Sequence, residues 1–315
     1  MHFPVAGIDV NPFVPPLVAF GISLFTSMGG VSGAFLLLPF QMSVLGFTSP
    51  AVSSTNQLFN IVAIPSGVWR YIREGRMVWP LTWIVVLGTL PGVFLGALIR
   101  IRYLGDPEDF RFFAGLVLLG IGLRIAKDLM RSTSSGALRA SEAESEGLVK
   151  TPRQGAGEAD LPRVEVVELS WARVRYVFRG ERYEVSVLKT SSISAAVGIV
   201  GGIYGIGGGA IIAPVLVAFF GLPVHTVAGA SLMGTFVTSL AGVGFYEALA
   251  PFYPGLQVAP DWGLGLLFGL GGFAGMYGGA RLQKHVPARL IKWMLAACVL
   301  FLAGQYILPR LGTPP

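Results

Sequence analysis

Two short glycine clusters interrupt long apolar runs, and both could do the same chemistry. Gly30-Val31-Ser32-Gly33 leads into Ala34 and an apolar stretch, and Gly205-Ile206-Gly207-Gly208-Gly209 leads into another. A helix that begins at such a cluster offers N–H groups with no acceptor inside the helix, at the positive end of its dipole. Glycine lets the backbone turn tightly and lets a ligand approach, because no Cβ intervenes. The pattern suits an oxyanion. Ser32, Gly33 and Ala34 form one expected half-site, and Gly207, Gly208 and Gly209 the other. No Lys or Arg lies in the central part of either interrupted run, so backbone amides would do the gripping.

Polar side chains follow each cluster. The stretch SSTNQLFN, residues 53–60, is polar for an apolar neighbourhood. Asn56 and Gln57, with Ser231 in the second half, are expected to complete the shell with neutral donors. Ser53, Ser54, Thr55, Asn60 and Thr235 rank behind them. Gln41, isolated on the arm after the first cluster, is a further candidate. The plain alternative for all of these is hydrogen bonding between helices.

The elements that must position these residues come in two copies. A shift of 175 positions carries Gly30 onto Gly205, Gly33 onto Gly208, Pro39 onto Pro214 and Gly67 onto Gly242. Paired, glycine-broken hydrophobic segments in corresponding halves point to a binding site of a secondary transporter. Composition agrees. The chain has 315 residues, 53% hydrophobic and 13% charged, against about 25% charged in a soluble domain. Its mean hydropathy is +0.67. Much of the outside must therefore face lipid. The net charge of +6 is read as loop orientation, not as nucleic-acid binding. The single cysteine, Cys298, excludes an internal disulfide and a cysteine metal site. No cofactor and no metal is expected. The first twelve residues lack the basic region of a cleavable leader, so residues 13–45 read as mature membrane structure.

The predicted fold is an all-α polytopic membrane protein of about 8–10 apolar segments with a small linker (boundaries 1–130, 131–190 and 191–315). The first segment of each half is broken, with arms near 15–28 and 34–46 and a split at YGIGGG within 191–221. Segments at 51–70, 78–100 and 110–130 follow in the first half, and at 225–249, 262–283 and 289–308 in the second. Gly88, Gly92 and Gly96, like Gly271, Gly275 and Gly279, sit one helical turn apart and read as packing seams; lining a pore is the alternative. Arg70, Arg73 and Arg76 mark a cytoplasmic loop, whereas its counterpart at 247–261 lacks Lys and Arg. Arg281, Lys284, Arg289 and Lys292 mark the next second-half loop as cytoplasmic. The halves thus read as inverted repeats. The linker falls on the cytoplasmic side; residues 132–160 read as flexible and 173–188 as a β-hairpin around Arg179-Gly180.

The pattern G-x-G-G-G-x-x-x-x-P from Gly205 to Pro214, the turn at 221–223 and Ala230-Ser231-Leu232 resemble the sulfite exporter TauE/SafE family, also described as toluene-sulfonate uptake permeases. The resemblance spans both membrane halves, with GVSG replacing the second-half cluster in the first. It implies a secondary transporter, expected to export small sulfur-containing anions such as sulfite or organosulfonates from a bacterial cell across its inner membrane. Alternating access around the two broken segments is the expected mechanism. No Asp, Glu or His sits where a coupling proton is needed; His225 and Glu247 are at segment ends. A passive anion channel is the rival reading. A remoter one is an intramembrane serine protease, since residues 30–33 spell GxSG; it needs a base, and His225 is the only conceivable one, so no enzyme is expected.

Overall fold

The computed structural model describes residues 1–28, 32–73, 75, 77–134, 164–178, 181–220, 222, 224–282 and 288–312. Gly30 and Val31 of the first cluster, and most of the stretch 132–160, lie outside the described residues. The first half runs from a two-stranded turn, β1 (His2–Phe3) and β2 (Ile8–Asp9), into α1 (Val14–Met28), α2 (Ala34–Ser43), α3 (Ala51–Ala63), α4 (Pro65–Arg73), α5 (Trp79–Arg102) and α6 (Pro107–Ser134). Strands β3 (Glu165–Leu169), β4 (Arg173–Phe178) and β5 (Glu181–Ser186) follow. The second half comprises α7 (Val187–Tyr204), α8 (Gly209–Phe220), α9 (Val224–Leu249), α10 (Trp262–Leu282) and α11 (Ala288–Gly312).

Both interrupted runs are broken helices. The first arms, α1 and α2, end and begin at the first glycine cluster, and α7 and α8 at the second. Among the described residues, helices at Trp79–Arg102, Val187–Tyr204, Thr226–Phe252 and Trp293–Arg310 are long and apolar enough to cross a membrane. Large apolar side chains such as Leu87, Leu95, Leu270, Phe301 and Leu308 point outward. The polar residues Ser53, Ser54, Thr55, Asn56, Gln57 and Asn60 are all fully buried. This inside-out distribution is that of a protein dissolved in lipid.

Local chemistry sets the helix ends. Asp106 Oδ1 accepts the amides of Glu108 and Asp109 at 2.7 and 3.3 Å and so starts α6. Asp261, nearly buried, starts α10 by accepting the Leu264 amide at 3.0 Å, while its other oxygen takes the Ala6 amide at 3.2 Å. The segment expected as one span over 51–70 is divided between α3 and α4 at Pro65, which has no amide to continue the ladder. Its second-half counterpart, α9, has no such proline and runs unbroken.

The expected hairpin is present, pairing Arg173 with Ser186 and Phe178 with Glu181. A third strand, β3, adds to it antiparallel, in the order β3-β4-β5. Charge masked that strand in the sequence: Glu165 and Glu168 flank Val166 and Val167, and Arg175 holds Glu168 at 2.7 Å. The sheet's apolar face, Tyr176, Phe178 and Val185, packs with Val78, Leu81, Val85, Ile212, Leu216 and Val227 of the helical body.

The largest helix contacts are reciprocal between halves. Helix α5 of the first half packs along α7 of the second, and α10 of the second packs along α1 of the first. The spaced glycines make both contacts. A Cβ on Gly92 or Gly96 would collide with the carbonyls of Ala195 and Ile199; one on Gly271, Gly275 or Gly279 would collide with those of Pro16, Phe20 and Leu24. Backbone meets backbone there, leaving no room for a side chain. The stripes are therefore seams. A Gly92→Val variant should lose about 1–3 kcal/mol of stability through overpacking. Gly120→Ala, where a Cβ meets nothing within 4 Å, should be neutral or slightly stabilising. Thermal unfolding in detergent checks this; equal melting of the two variants would contradict the seam.

Candidate functional site

The second break is built from left-handed glycines. Helix α7 closes when the amides of Gly205 and Ile206 both donate to the Gly201 carbonyl, at 2.9 and 3.1 Å. Gly205 sits at φ +78° and Gly207 at φ +71°, a region that side chains disfavour. Gly205 also lies against the backbone of α3, where a Cβ would collide with the Ser53 carbonyl. Helix α8 then starts at Gly209.

The break leaves carbonyls at the end of α7 that α3 satisfies. Ser53 Oγ donates to the Ile203 carbonyl at 3.0 Å, and Asn60 Nδ2 donates to the Ile206 carbonyl at 3.1 Å. The first break is held by the same helix. Ser32 Oγ lies 3.0 Å from Asn60 Oδ1 and accepts the Ala34 amide at 3.4 Å. Asn56 Nδ2 donates to the Ala34 carbonyl at 3.0 Å, and Gln41 Nε2 donates to Asn56 Oδ1 at 3.4 Å. Tyr204, the last residue of α7, donates its hydroxyl to the Phe35 carbonyl at 2.8 Å, in the first turn of α2. Asn60 thus touches both breaks, and Tyr204 ties the end of one to the start of the other.

The expected site residues divide into groups. Ser32, Ala34, Gln41 and Asn56 are joined in one hydrogen-bonded cluster at the start of α2. Gly33 is the residue just before that helix and faces Ser23. Gly207 faces Thr235 and Ser239 of α9, and a Cβ there would come 2.9 Å from Ser239 Oγ. Gly208 faces α5 instead: a Cβ would come 2.6 Å from Thr89 Cβ. A bulky side chain at Gly208 would therefore strike α5. Ser231 is buried one turn before Thr235 on α9, and its carbonyl accepts the Thr235 hydroxyl at 3.0 Å. Gln57 packs against Gly242 of α9, where a Cβ would sit 2.8 Å from the carboxamide carbon. Both Gln57 polar atoms, and Oε1 of Gln41, are buried with no hydrogen-bond partner. Such groups cost about 1–3 kcal/mol each, so they need a reason.

Three residues that the sequence ranked low or did not single out belong to this network. Asn60 ranked below Asn56 in the sequence, yet it is the residue that bridges the breaks; its i+4 spacing from Asn56 was the available signal. Tyr204 stands directly before the glycines, which was signal enough to include it. Arg100, not singled out in the sequence, is fully buried in the last turn of α5. Its Nε donates to Ser53 Oγ at 3.4 Å, its other nitrogens reach the carbonyls of Leu104 and Thr48, and it lies 3.7 Å from the centre of the Phe110 ring. Those partners account for it as an anchor of the α5 terminus. The serine of GxSG is paired with an amide, which cannot take its proton. The His225 side chain lies outside the described residues.

The family model described as sulfite exporter TauE/SafE matches residues 16–306. The probable membrane transporter protein YdhB of Bacillus subtilis is 37% identical over 117 residues, covering 36% of this chain and 43% of that protein. A probable membrane transporter protein of Xylella fastidiosa Temecula1 is 25% identical over 281 residues, 86% of this chain and 83% of its own length. A protein of the same description from strain 9a5c is 24% identical over 300 residues, covering 90% of each chain. The chain thus spans less than half of the Bacillus protein and most of both Xylella proteins. No solved structure matches the chain.

The shared use of Asn60 has a thermodynamic signature. Asn60→Ala and Ser32→Ala should each destabilise by about 1–3 kcal/mol. Together they should fall short of the sum by about 0.5 kcal/mol or more, because both remove one bond. A double-mutant cycle on thermal stability measures this; strict additivity would contradict the bridge.

Proposed function

The chain belongs to the sulfite exporter TauE/SafE family, a multi-pass membrane transporter by that membership, and from it we propose a secondary carrier that exports small sulfur-containing anions such as sulfite or organosulfonates. The anion binds near the middle of the bilayer where α2 and α8 begin, with Ser32, Gly33, Ala34 and Gln41 on one side and Gly207, Gly208 and Gly209 on the other. Asn56, Gln57 and Ser231 supply side-chain contacts. The halves lie in opposite orientations in a bacterial inner membrane, with the linker cytoplasmic, and rock about the bound anion.

One observation carries the placement. The Gln57 carboxamide is fully buried and unpartnered on α3, one turn from Asn60. Helix starts alone would be ordinary packing; a free buried amide on the helix that holds both breaks, packed against Gly242 of α9, is what a ligand would satisfy. The atoms already committed do other work: Asn60 keeps both breaks in shape, Asn56 does so through Ala34 and Gln41 while keeping one N–H hydrogen over, and Gly208 gives α8 its close approach to α5.

Gln57→Leu separates binding from folding. The variant should weaken sulfite or sulfonate binding at least about tenfold, while its melting temperature stays level or rises, because an unpaired amide has been removed. Unchanged affinity would remove Gln57 from the site. Flux in proteoliposomes tests the carrier: uptake should saturate and be stimulated by anion on the far side, whereas conductance far above carrier turnover would favour a passive channel.

A further inference from the structure

The hydrogen bonds around Gln41 fix which of its atoms is free, and that atom constrains the cargo. A carbonyl oxygen only accepts. The Ala34 carbonyl, 3.0 Å from the Asn56 amide, therefore faces Nδ2. Asn56 Oδ1 must then face Gln41, at 3.4 Å, and Gln41 must offer Nε2 to it. What remains is Gln41 Oε1, an acceptor, fully buried and unpartnered. The same logic governs the neighbouring break. The Ile206 carbonyl fixes Asn60 Nδ2, so Oδ1 faces Ser32 and takes the Ser32 hydroxyl hydrogen. Ser32 Oγ in turn accepts the Ala34 amide. Neither Gln41 Oε1 nor Ser32 Oγ can donate to an oxyanion; each presents a lone pair. Donation is left to Gln57, to the second hydrogens of Gln41 Nε2 and Asn56 Nδ2, and to backbone amides. A bare oxyanion would leave Gln41 Oε1 unsatisfied and set two electron-rich oxygens against each other.

We propose that the transported anion brings its own hydrogen-bond donor to Gln41 Oε1: hydrogensulfite in preference to sulfite, and an amino- or hydroxysulfonate in preference to a plain alkanesulfonate. This rests on the anion site proposed above and narrows its cargo. Gln41 Oε1 then selects among sulfur oxyanions, and the oxyanion end is left to Gln57, the remaining amide hydrogens of Gln41 and Asn56, and the helix starts. For sulfite the consequence is that the proton travels on the cargo, so the carrier moves acid and anion together without a titrating side chain.

Three probes of similar size test it on the purified full-length protein: ethanesulfonate, which has no donor, 2-hydroxyethanesulfonate and 2-aminoethanesulfonate. Calorimetric titration should show the two donor-bearing probes binding about tenfold or more tighter than ethanesulfonate, the worth of one buried acceptor satisfied. In Gln41→Leu the ratio should collapse to about one. In Gln41→Glu, which keeps an acceptor, the preference should persist and shift toward the amino compound; this variant also serves if Gln41→Leu does not fold. Equal binding of all three probes to the unmodified protein, or an intact preference in Gln41→Leu, would overturn the donor requirement while leaving an anion site standing. If neither sulfite nor any of the probes binds, the anion site itself fails and this inference with it.

Discussion

Breaking a helix inside a buried apolar bundle frees backbone groups that water cannot reach, and everything else in this fold follows from satisfying them. Nothing in lipid can accept or donate a hydrogen bond, so the protein must supply partners from within. It does so chiefly with one helix, α3. Ser53, Asn56 and Asn60 of α3 reach the carbonyls of Ile203, Ala34 and Ile206, and Tyr204 reaches Phe35. A helix with that many amides and hydroxyls cannot touch lipid. It is buried along almost its whole length, and apolar helices with outward leucines and phenylalanines enclose it.

Enclosure of that kind needs close packing, which the glycine seams provide. Each half lends its glycine-striped helix to the other half's first helix, so neither half is complete alone. Within this frame the polar side chains separate into those that are spent and those that are not. Asn60, Asn56, Ser32 and Tyr204 are spent on the backbone at the breaks. Gln57, one oxygen of Gln41 and the Ser23 hydroxyl that faces Gly33 are not. A buried amide without a partner is a cost that stability alone would remove, which supports the role proposed for the two glutamines alongside the glycine-led helix starts.

Much of this was legible in the sequence. The breaks announced themselves as glycines at the same place in two copies, and the helix arms lie close to where apolar runs resume. The polar run at 53–60 marked α3. Rank within that run was not legible: whether Asn56 or Asn60 bridges the breaks depends on helix rotation, which the sequence does not state. Arg100 was hidden because a charge near a segment end usually reaches water, and here the chain folds Leu104, Thr48 and Phe110 over it instead. Gly208 looked like open space for a ligand, yet its neighbour is Thr89, more than a hundred residues away in the chain. Strand β3 was missed because its partner strand, not its own pattern, makes it a strand.

The most direct measurement is the position of a bound anion. Selenite carries the geometry of sulfite and an anomalous signal, so a crystal grown with it locates the site without assumption. The account predicts a selenium peak with its oxygens at hydrogen-bond distance, roughly 3 Å, from Gln57, between the starts of α2 and α8. A peak elsewhere in the bundle, with the two glutamines untouched, would contradict it.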